Sequence, residues 1–541
     1  MDLRSISGNQ IALWVVLAVG LAVALVIGSA VGSADLRFVA AALAVIPAAV
    51  IFIKLKTNIW VLLPLSWLLD GRLPWLPLPL SVRDLCFLAV IAMFVLFGAT
   101  RVFHFKRKLS MLDYLIFINL AYLVTVYVRN PAGVWFLQSS IVGGRPYFEI
   151  VLAFGAFLIL SRVQITDFIA KIFPLFLVIP AWSMAMLDAI GRVNPGVGYA
   201  LNSIYSGVGP SGTFGEVEAA AEIGTTRVVP MGPAGTISVL ALCARYNPIT
   251  LISPLYPGRV ILLAFAFGAI FLSGFRSSLL AAFVFLLLSA ILRRQLRDVW
   301  IAGGAGILIL TVLILLQGNV LQMPLTMQRA LTWLPGDWDQ AVLSDAEGST
   351  QWRVDMWGWA WNDERVLRDK VWGTGFGLTI EDMNLIAQSL MLSGSGSSYL
   401  GGSDREQFML TGTFHSGPLS TIKFIGIVGL VLYMVLMCYM AVLAWRVCKL
   451  ASGTKGFTLA LFVGIPIIYE PFNFVVVFGA LDDNYPSLLF KAGLLSMAQR
   501  YVENLRPIVR GALEADYQVP ANPVTEVEPM LRRQRFEPRP L

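Results

Sequence analysis

"TFHSGPLSTIKFIGIVGLVLYMVLMCYMAVLAW" (residues 413–445) decides the fold. From Leu419 onward it is one apolar run, longer than the roughly 20 residues a helix needs to cross the hydrocarbon of a bilayer. Other runs have the same character: "IALWVVLAVGLAVALVIGSA" (11–30), "DLCFLAVIAMFVLFGA" (84–99) and "VWIAGGAGILILTVLILLQG" (299–318). The whole chain agrees. Its 541 residues are 57% hydrophobic and 13% charged, with a mean hydropathy of +0.74. A water-soluble protein of this size needs far more charge to cover its surface, whereas lipid-facing helices need almost none.

The sequence therefore predicts an all-α polytopic membrane protein with about 12–14 transmembrane helices. Spans are expected near 11–31, 36–53, 57–70, 84–99, 111–128, 147–160, 170–187, 233–247, 259–274, 277–292, 299–317, 418–445, 456–474 and 484–499. The first resembles a signal peptide in its small-residue flank "GSAVGSA", but a single early arginine and the many later spans favour a retained helix. Four parts follow: a transmembrane bundle over 1–317, a large outer loop over 318–417, further transmembrane helices over 418–500, and a charged, Pro-rich tail over 501–541 that is expected to be disordered. No internal repeat is evident.

Basic residues orient the bundle. "KLK" (54–56), "RVFHFKRK" (101–108), "RRQLR" (293–297) and "RVCK" (446–449) all fall on one side of the span list, which should be cytoplasmic. The net charge of +7 then reads as positive-inside topology, with no basic face that calls for nucleic acid. Loops 129–146, 188–232 and 318–417 face the other side. Cys86, Cys243, Cys438 and Cys448 fall in spans or on the cytoplasmic side, so no disulfide framework is indicated, and no Cys/His cluster offers a metal site.

Loop 318–417 is too long for a connector. It holds Trp333, Trp338, Trp352, Trp357, Trp359, Trp361 and Trp372. "STQWRVDMWGWAWNDERVLRD" predicts a helix capped by Ser349 or Thr350, with Trp352, Met356 and Trp359 on one face. Such a face is either an interfacial anchor or a surface on which sugar rings stack. "GTGFG" (373–377) lacks the strand and lysine of a phosphate loop, so it reads as a turn ending that helix.

Arg145, Arg276, Arg329 and Arg353 lie on the same outer side. Arg276 separates two apolar runs, where a charge is costly unless it faces a polar cavity, a phosphate or an acidic partner. A guanidinium suits a diphosphate because its fork donates two parallel hydrogen bonds. Each arginine has an ordinary alternative, to snorkel or to pair with Glu149, Asp355 or another carboxylate. His415, one of only two histidines, stands at the outer surface just before a span. Its imidazole can take a proton from a hydroxyl or donate to a phosphate oxygen. Lys423, eight residues on, shares nearly the same helical face.

These residues resemble the O-antigen ligase and Wzy-type polymerase superfamily of bacterial polysaccharide assembly. The family's histidine, then Asn, Ser or Gln, nine residues and Gly-x-x-Gly stands here as His415-Ser416 followed by Gly426-Ile427-Val428-Gly429. Its arginine with a leucine four positions later stands as Arg276 and Leu280. "QRALTWL" and "GTGFG" also look like that family's long outer loop, and the resemblance covers roughly 250–445. It implies a GT-C-like fold in the bacterial inner membrane, with the active face and its large helical loop periplasmic. It also implies a glycosyltransferase without a metal cofactor, which moves a glycan from a polyprenyl diphosphate to an acceptor hydroxyl. The acceptor in such proteins is a further lipid-linked glycan or the lipid A core. His415 and Arg276 are then the expected catalytic pair. Arg145, Arg353, Arg329, Trp352 and Trp359 are the expected binders of diphosphate or glycan. Two features point elsewhere. Glu470, between Pro466 and Pro471 inside a span, would suit a transporter or flippase of lipid-linked saccharide. Asp482-Asp483 forms an outer acidic pair that is either a solvated loop or a cation site.

Overall fold

Hydrophobic period and length translate directly into helices. The computed structural model describes residues 55–69, 80–99, 109–133, 143–194, 196–198, 201, 228–318, 320, 322–385, 408–477 and 479–517, and among them every regular element is helical. The expected spans 11–31 and 36–53, the basic loop 101–108, most of loop 188–232 and the tail beyond 517 lie outside the described residues.

Among the described residues, five helices are long and apolar enough to cross a membrane: Val82–Ala99, Met111–Arg129, Asp167–Val193, Gly417–Ala451 and Phe457–Val477. Shorter apolar helices include Pro257–Ser273 and Arg276–Leu292. Val95, Ile118, Val124 and Val431 are each at least half exposed on the long helices. Exposed aliphatic faces of that extent are untenable in water but match a lipid surface. The described residues are those of an all-helical membrane protein.

Helix ends follow local chemistry. Met111–Arg129 starts in a capping box, with Ser110 N–H donating to Asp113 (2.7 Å) and Asp113 N–H to the Ser110 hydroxyl (3.3 Å). The long helix Gly417–Ala451 has Pro418 in its first turn, where a missing N–H costs nothing. The last helix, Leu481–Tyr517, runs past the expected end of its span and takes in the first part of the region read as a disordered tail. Extending a formed helix needs no new nucleus, so a short polar continuation stays helical.

The Gly417–Ala451 helix packs on Met111–Arg129, Phe457–Phe472 and Leu481–Tyr517, and Met231–Arg245 packs on Pro257–Ser273 and Arg276–Leu292. One buried core runs through the early helices and the last three. A second, around Ile270, Leu279, Leu331 and Trp338, joins Pro257–Ser273 and Arg276–Leu292 to the outer segment.

The bundle has two chemically distinct ends. Arg276 opens its helix and Arg293 follows the helix's last residue, 17 residues or about 25 Å away. Arg293 donates to the Cys243 and Ala244 carbonyls (3.1 and 2.7 Å) and lies 5.1 Å from the ring of Phe457. Phe457 in turn opens the helix that follows Ala451. The start of the long helix, with His415 before it, is therefore at the Arg276 end, opposite Arg293.

Candidate functional site

The site is organised by a break in the long helix. Gly426 has φ 70° and ψ 178°, a conformation that only glycine adopts readily. At such a break the carbonyls before it and the N–H groups after it lose their helical partners. A strap over 370–375 replaces them. Thr374 N–H donates to the Lys423 carbonyl (2.9 Å) and Gly375 N–H to that of Phe424 (2.8 Å). In return, Ile427 and Val428 N–H donate to the carbonyls of Lys370 and Val371 (2.8 and 3.2 Å). The Tyr122 hydroxyl donates to the Ile425 carbonyl at 2.8 Å. The approach leaves no room for a side chain at Gly426, whose Cβ would overlap the Val371 carbonyl.

"GTGFG" is part of this strap. It does not end the tryptophan-rich helix, which stops at Asn362. That helix also begins earlier than expected. It spans Gln340–Asn362 and is capped by Asp339, whose side chain accepts from Ala341 N–H at 2.8 Å, in place of Ser349 or Thr350.

The tryptophan helix lies against the segment that leads into the long helix. Met356 and Ala360 are fully buried with Phe414, Leu419 and Ile422. Trp352 completes this face one turn earlier, whereas Trp359 is 38% exposed and lies off it. Trp357 was not singled out by its sequence, yet its indole N–H donates to the Phe414 carbonyl at 2.8 Å.

His415 is held between aromatic rings. Its imidazole centre lies 6.0 Å from that of Trp352 and 5.9 Å from that of Phe408, and those two rings meet edge to face at 5.6 Å. Its backbone is left-handed, at φ 51°, an uncommon state for a residue with a side chain and one frequent at functional sites. Lys423 fixes the neighbouring turn. Its buried Nζ donates to the Met409 and Leu410 carbonyls at 2.8 and 2.6 Å.

Two guanidinium groups and an imidazole come together here from three elements. Burial, then the charge of Arg276, lowers the proton affinity of Arg353. Burial, then the charge of Arg353, holds the His415 imidazole below the ordinary histidine value. Arg276, Arg353 and His415 are thus within electrostatic reach of one another along a chain, although 139 residues separate the first from the last.

The other predicted residues are placed differently. Arg145 pairs with Glu149 at 2.7 Å and with the buried Asp84 at 3.5 Å, the ordinary alternative for an arginine. Arg329 is 7% exposed in the Leu325–Leu331 helix, which packs on both the Arg276–Leu292 and the tryptophan helices. Asp355, weighed as an arginine partner, accepts from Gln351 at 2.8 Å. Glu470 is buried and paired with Lys491 at 2.7 Å. Asp482 opens the last helix, where burial, and then Glu149, pushes its carboxyl above the usual range. No group of three or more His, Cys, Asp or Glu side chains suited to a metal occurs among the described residues, and all four cysteines are free thiols.

Compared with known proteins, the chain matches no family model and no curated protein.

Proposed function

We propose that this chain is a membrane glycosyltransferase that moves a glycan from a polyprenyl-diphosphate carrier to an acceptor hydroxyl, in O-antigen or exopolysaccharide polymerisation or ligation. On this reading the Arg276–His415 end faces the periplasm of a bacterial inner membrane and the basic Arg293 end faces the cytoplasm. The fold is GT-C-like with 12–14 spans, residues 318–417 form the periplasmic loop, and no metal is required. The observation that carries the reading is the convergence of Arg276, Arg353 and His415 at one end of the bundle. Two guanidinium groups within electrostatic reach of each other offer several donors to one anion, and a diphosphate suits them.

The chemistry follows from charge. The acceptor oxygen attacks the anomeric carbon, and the bond to the diphosphate breaks with its electron pair left on the phosphate oxygen. Arg276 and Arg353 stabilise that developing charge more than they stabilise the bound donor, which is the condition for acceleration. The hydroxyl proton passes to His415, which is neutral at pH 7 because its proton affinity is lowered. A bound diphosphate offsets the charge of Arg353 and makes the imidazole more basic, so the base strengthens only when the donor is present.

The second reading is a transporter or flippase of the same lipid-linked saccharide. The broken helix and the buried Glu470–Lys491 pair favour it, since transporters use discontinuous helices. Transfer from a lipid-diphosphate-linked glycan in detergent separates the two, because it needs chemistry and no membrane gradient. His415→Ala and Arg276→Ala should each abolish transfer while expression stays normal. Full transfer by both variants removes these residues from the mechanism. No transfer by the unaltered protein across several donors and acceptors would favour the transporter.

A further inference from the structure

Behind the His415 site, across the turn at 408–411, lies a cavity of about 280 Å³. Leu410 and Lys423 are part of its lining, with the strap residues Gly373 and Thr374, then Thr379, Asn130, Arg365, Arg368, Asp369 and Asp382. The turn divides the two sites. Phe408 packs on His415, while Leu410 faces the cavity.

Two charged residues of the lining are more than nine-tenths buried, and both are fixed. Asp382 accepts from the Thr379 N–H and hydroxyl (2.9 and 2.8 Å) and pairs with Arg368 at 2.5 Å. Burial alone would raise the Asp382 carboxyl, but the Thr379 and Arg368 hydrogen bonds outweigh it, so this group stays ionised at neutral pH. Lys423 is held by its two carbonyls. Asp369 uses one oxygen, Oδ1, to accept from Val371 and Trp372 N–H (3.1 and 2.9 Å).

Size and charge select the ligand. The volume is at the lower edge of the roughly 300–1,000 Å³ of small-molecule pockets, enough for one ring and too little for a lipid chain. A diphosphate is disfavoured because the three cations of the lining are already engaged, Arg365 by Asp363, Arg368 by Asp382 and Lys423 by two carbonyls, and because Asp369 and Asp382 add negative charge. A sugar ring suits the lining, because neighbouring hydroxyls both donate and accept. Carboxylate, amide, hydroxyl and guanidinium groups that alternate around a rigid wall supply both without reorganisation.

We infer that this cavity is a saccharide subsite that seats one sugar residue of the glycan beside the reacting centre. The inference rests on the glycosyltransferase reading for its choice of sugar. It places recognition in the strap, Asn130 and Asp382, and leaves the diphosphate to Arg276 and Arg353.

The test uses the full chain in detergent, with the methyl glycosides of glucose, galactose, N-acetylglucosamine and glucuronic acid as probes, and with inorganic pyrophosphate as the control anion. Saturation-transfer NMR reads binding directly. Asp369→Asn keeps the Oδ1 acceptor and changes the other oxygen into a donor, and Asn130→Leu fills space at the wall. At least one glycoside should bind, both variants should weaken it tenfold or more, and pyrophosphate binding and the thermal midpoint should stay unchanged. In a transfer assay the same variants should raise the acceptor or donor KM with little change in kcat. If no glycoside binds the unaltered protein while pyrophosphate does, the subsite is overturned and the transferase reading stands. If a glycoside binds in a variant-sensitive way but no transfer occurs, the subsite stands and the transferase reading falls. Equal glycoside binding by the unaltered protein and both variants would place sugar recognition elsewhere and overturn the inference.

Discussion

Arg145 and Arg353 carry the same side chain on the same predicted side of the protein, and the structure gives them opposite surroundings. Arg145 meets Glu149 and Asp84, so its charge is answered within the protein. Arg353 is half-buried and within electrostatic reach of Arg276, so burial first and that charge second make its own charge harder to keep. Folding alone explains the first arrangement. The second works against the charge of Arg353, and perturbed groups of that kind concentrate at functional sites.

Replacement of each arginine should separate these roles, and the larger effect belongs to Arg353. Arg353→Ala removes a donor aimed at a developing charge and should lower kcat by about 10²–10³-fold. The midpoint of thermal unfolding should hold or rise, since a like-charge repulsion disappears. A loss of activity matched by a loss of folded protein would show that Arg353 is structural, like Arg145.

The comparison also assumes that the tryptophan helix and the strap hold their places on the broken helix. Gly426→Ala tests that scaffold. The left-handed, extended backbone there and the clash with the Val371 carbonyl should cost about 2–4 kcal/mol of stability. Hydrogen exchange should quicken over 370–377, and transfer should fall with it, while amides of the Arg145–Leu160 helix stay protected. Uniform loss of protection across both regions would mean that the break supports the whole bundle and not this end alone.

Arg145→Ala should have the smaller consequence. A pair with one partner 38% exposed contributes about 1 kcal/mol or less, and Asp84 keeps the Ser81 N–H at 2.9 Å. Transfer per folded molecule should change by less than about 3-fold, within what a 1 kcal/mol effect allows. A drop as deep as that of Arg353→Ala would bring Arg145 into the reacting centre and erase the contrast.

How much of this was legible depends on the range of the signal. Helices were, because an apolar run of sufficient length has one solution in a bilayer: 84–99 appears as Val82–Ala99, 111–128 as Met111–Arg129 and 277–292 as Arg276–Leu292. Glu149 was legible as a partner of Arg145, since the two stand four residues apart on one helix. The strap was not. Its bonds join backbone groups about fifty residues apart, and their only trace in the sequence is the glycines at 373, 375 and 426. The start of the tryptophan helix was missed because "QAVLSDAEGST" (340–350) has almost no apolar period, although Asp339 caps it well. His415, Arg353 and Arg276 were each nameable from local context, but their meeting depends on how three distant elements pack.

The smallest effect gives the sharpest view of that meeting. The chain has two histidines, so His104→Gln leaves His415 as the single imidazole to follow by NMR. Burial and Arg353 disfavour its charged form, so it should titrate below the ordinary value of about 6.5. The linkage has a definite sign. Above that value both folded and unfolded chains hold a neutral imidazole. As pH falls through it the unfolded chain takes up its proton first, so stability declines until the folded pKa is passed. Arg353→Met should raise the folded titration midpoint and narrow that window, but only in part, because burial is the larger cause and remains. Pyrophosphate should raise the midpoint of the unaltered protein in the same direction, by answering the guanidinium charge, and should do so less in Arg353→Met. An unchanged midpoint in Arg353→Met would show that the arginine's charge does not reach the imidazole, and the contrast with Arg145 would then rest on Arg276 alone.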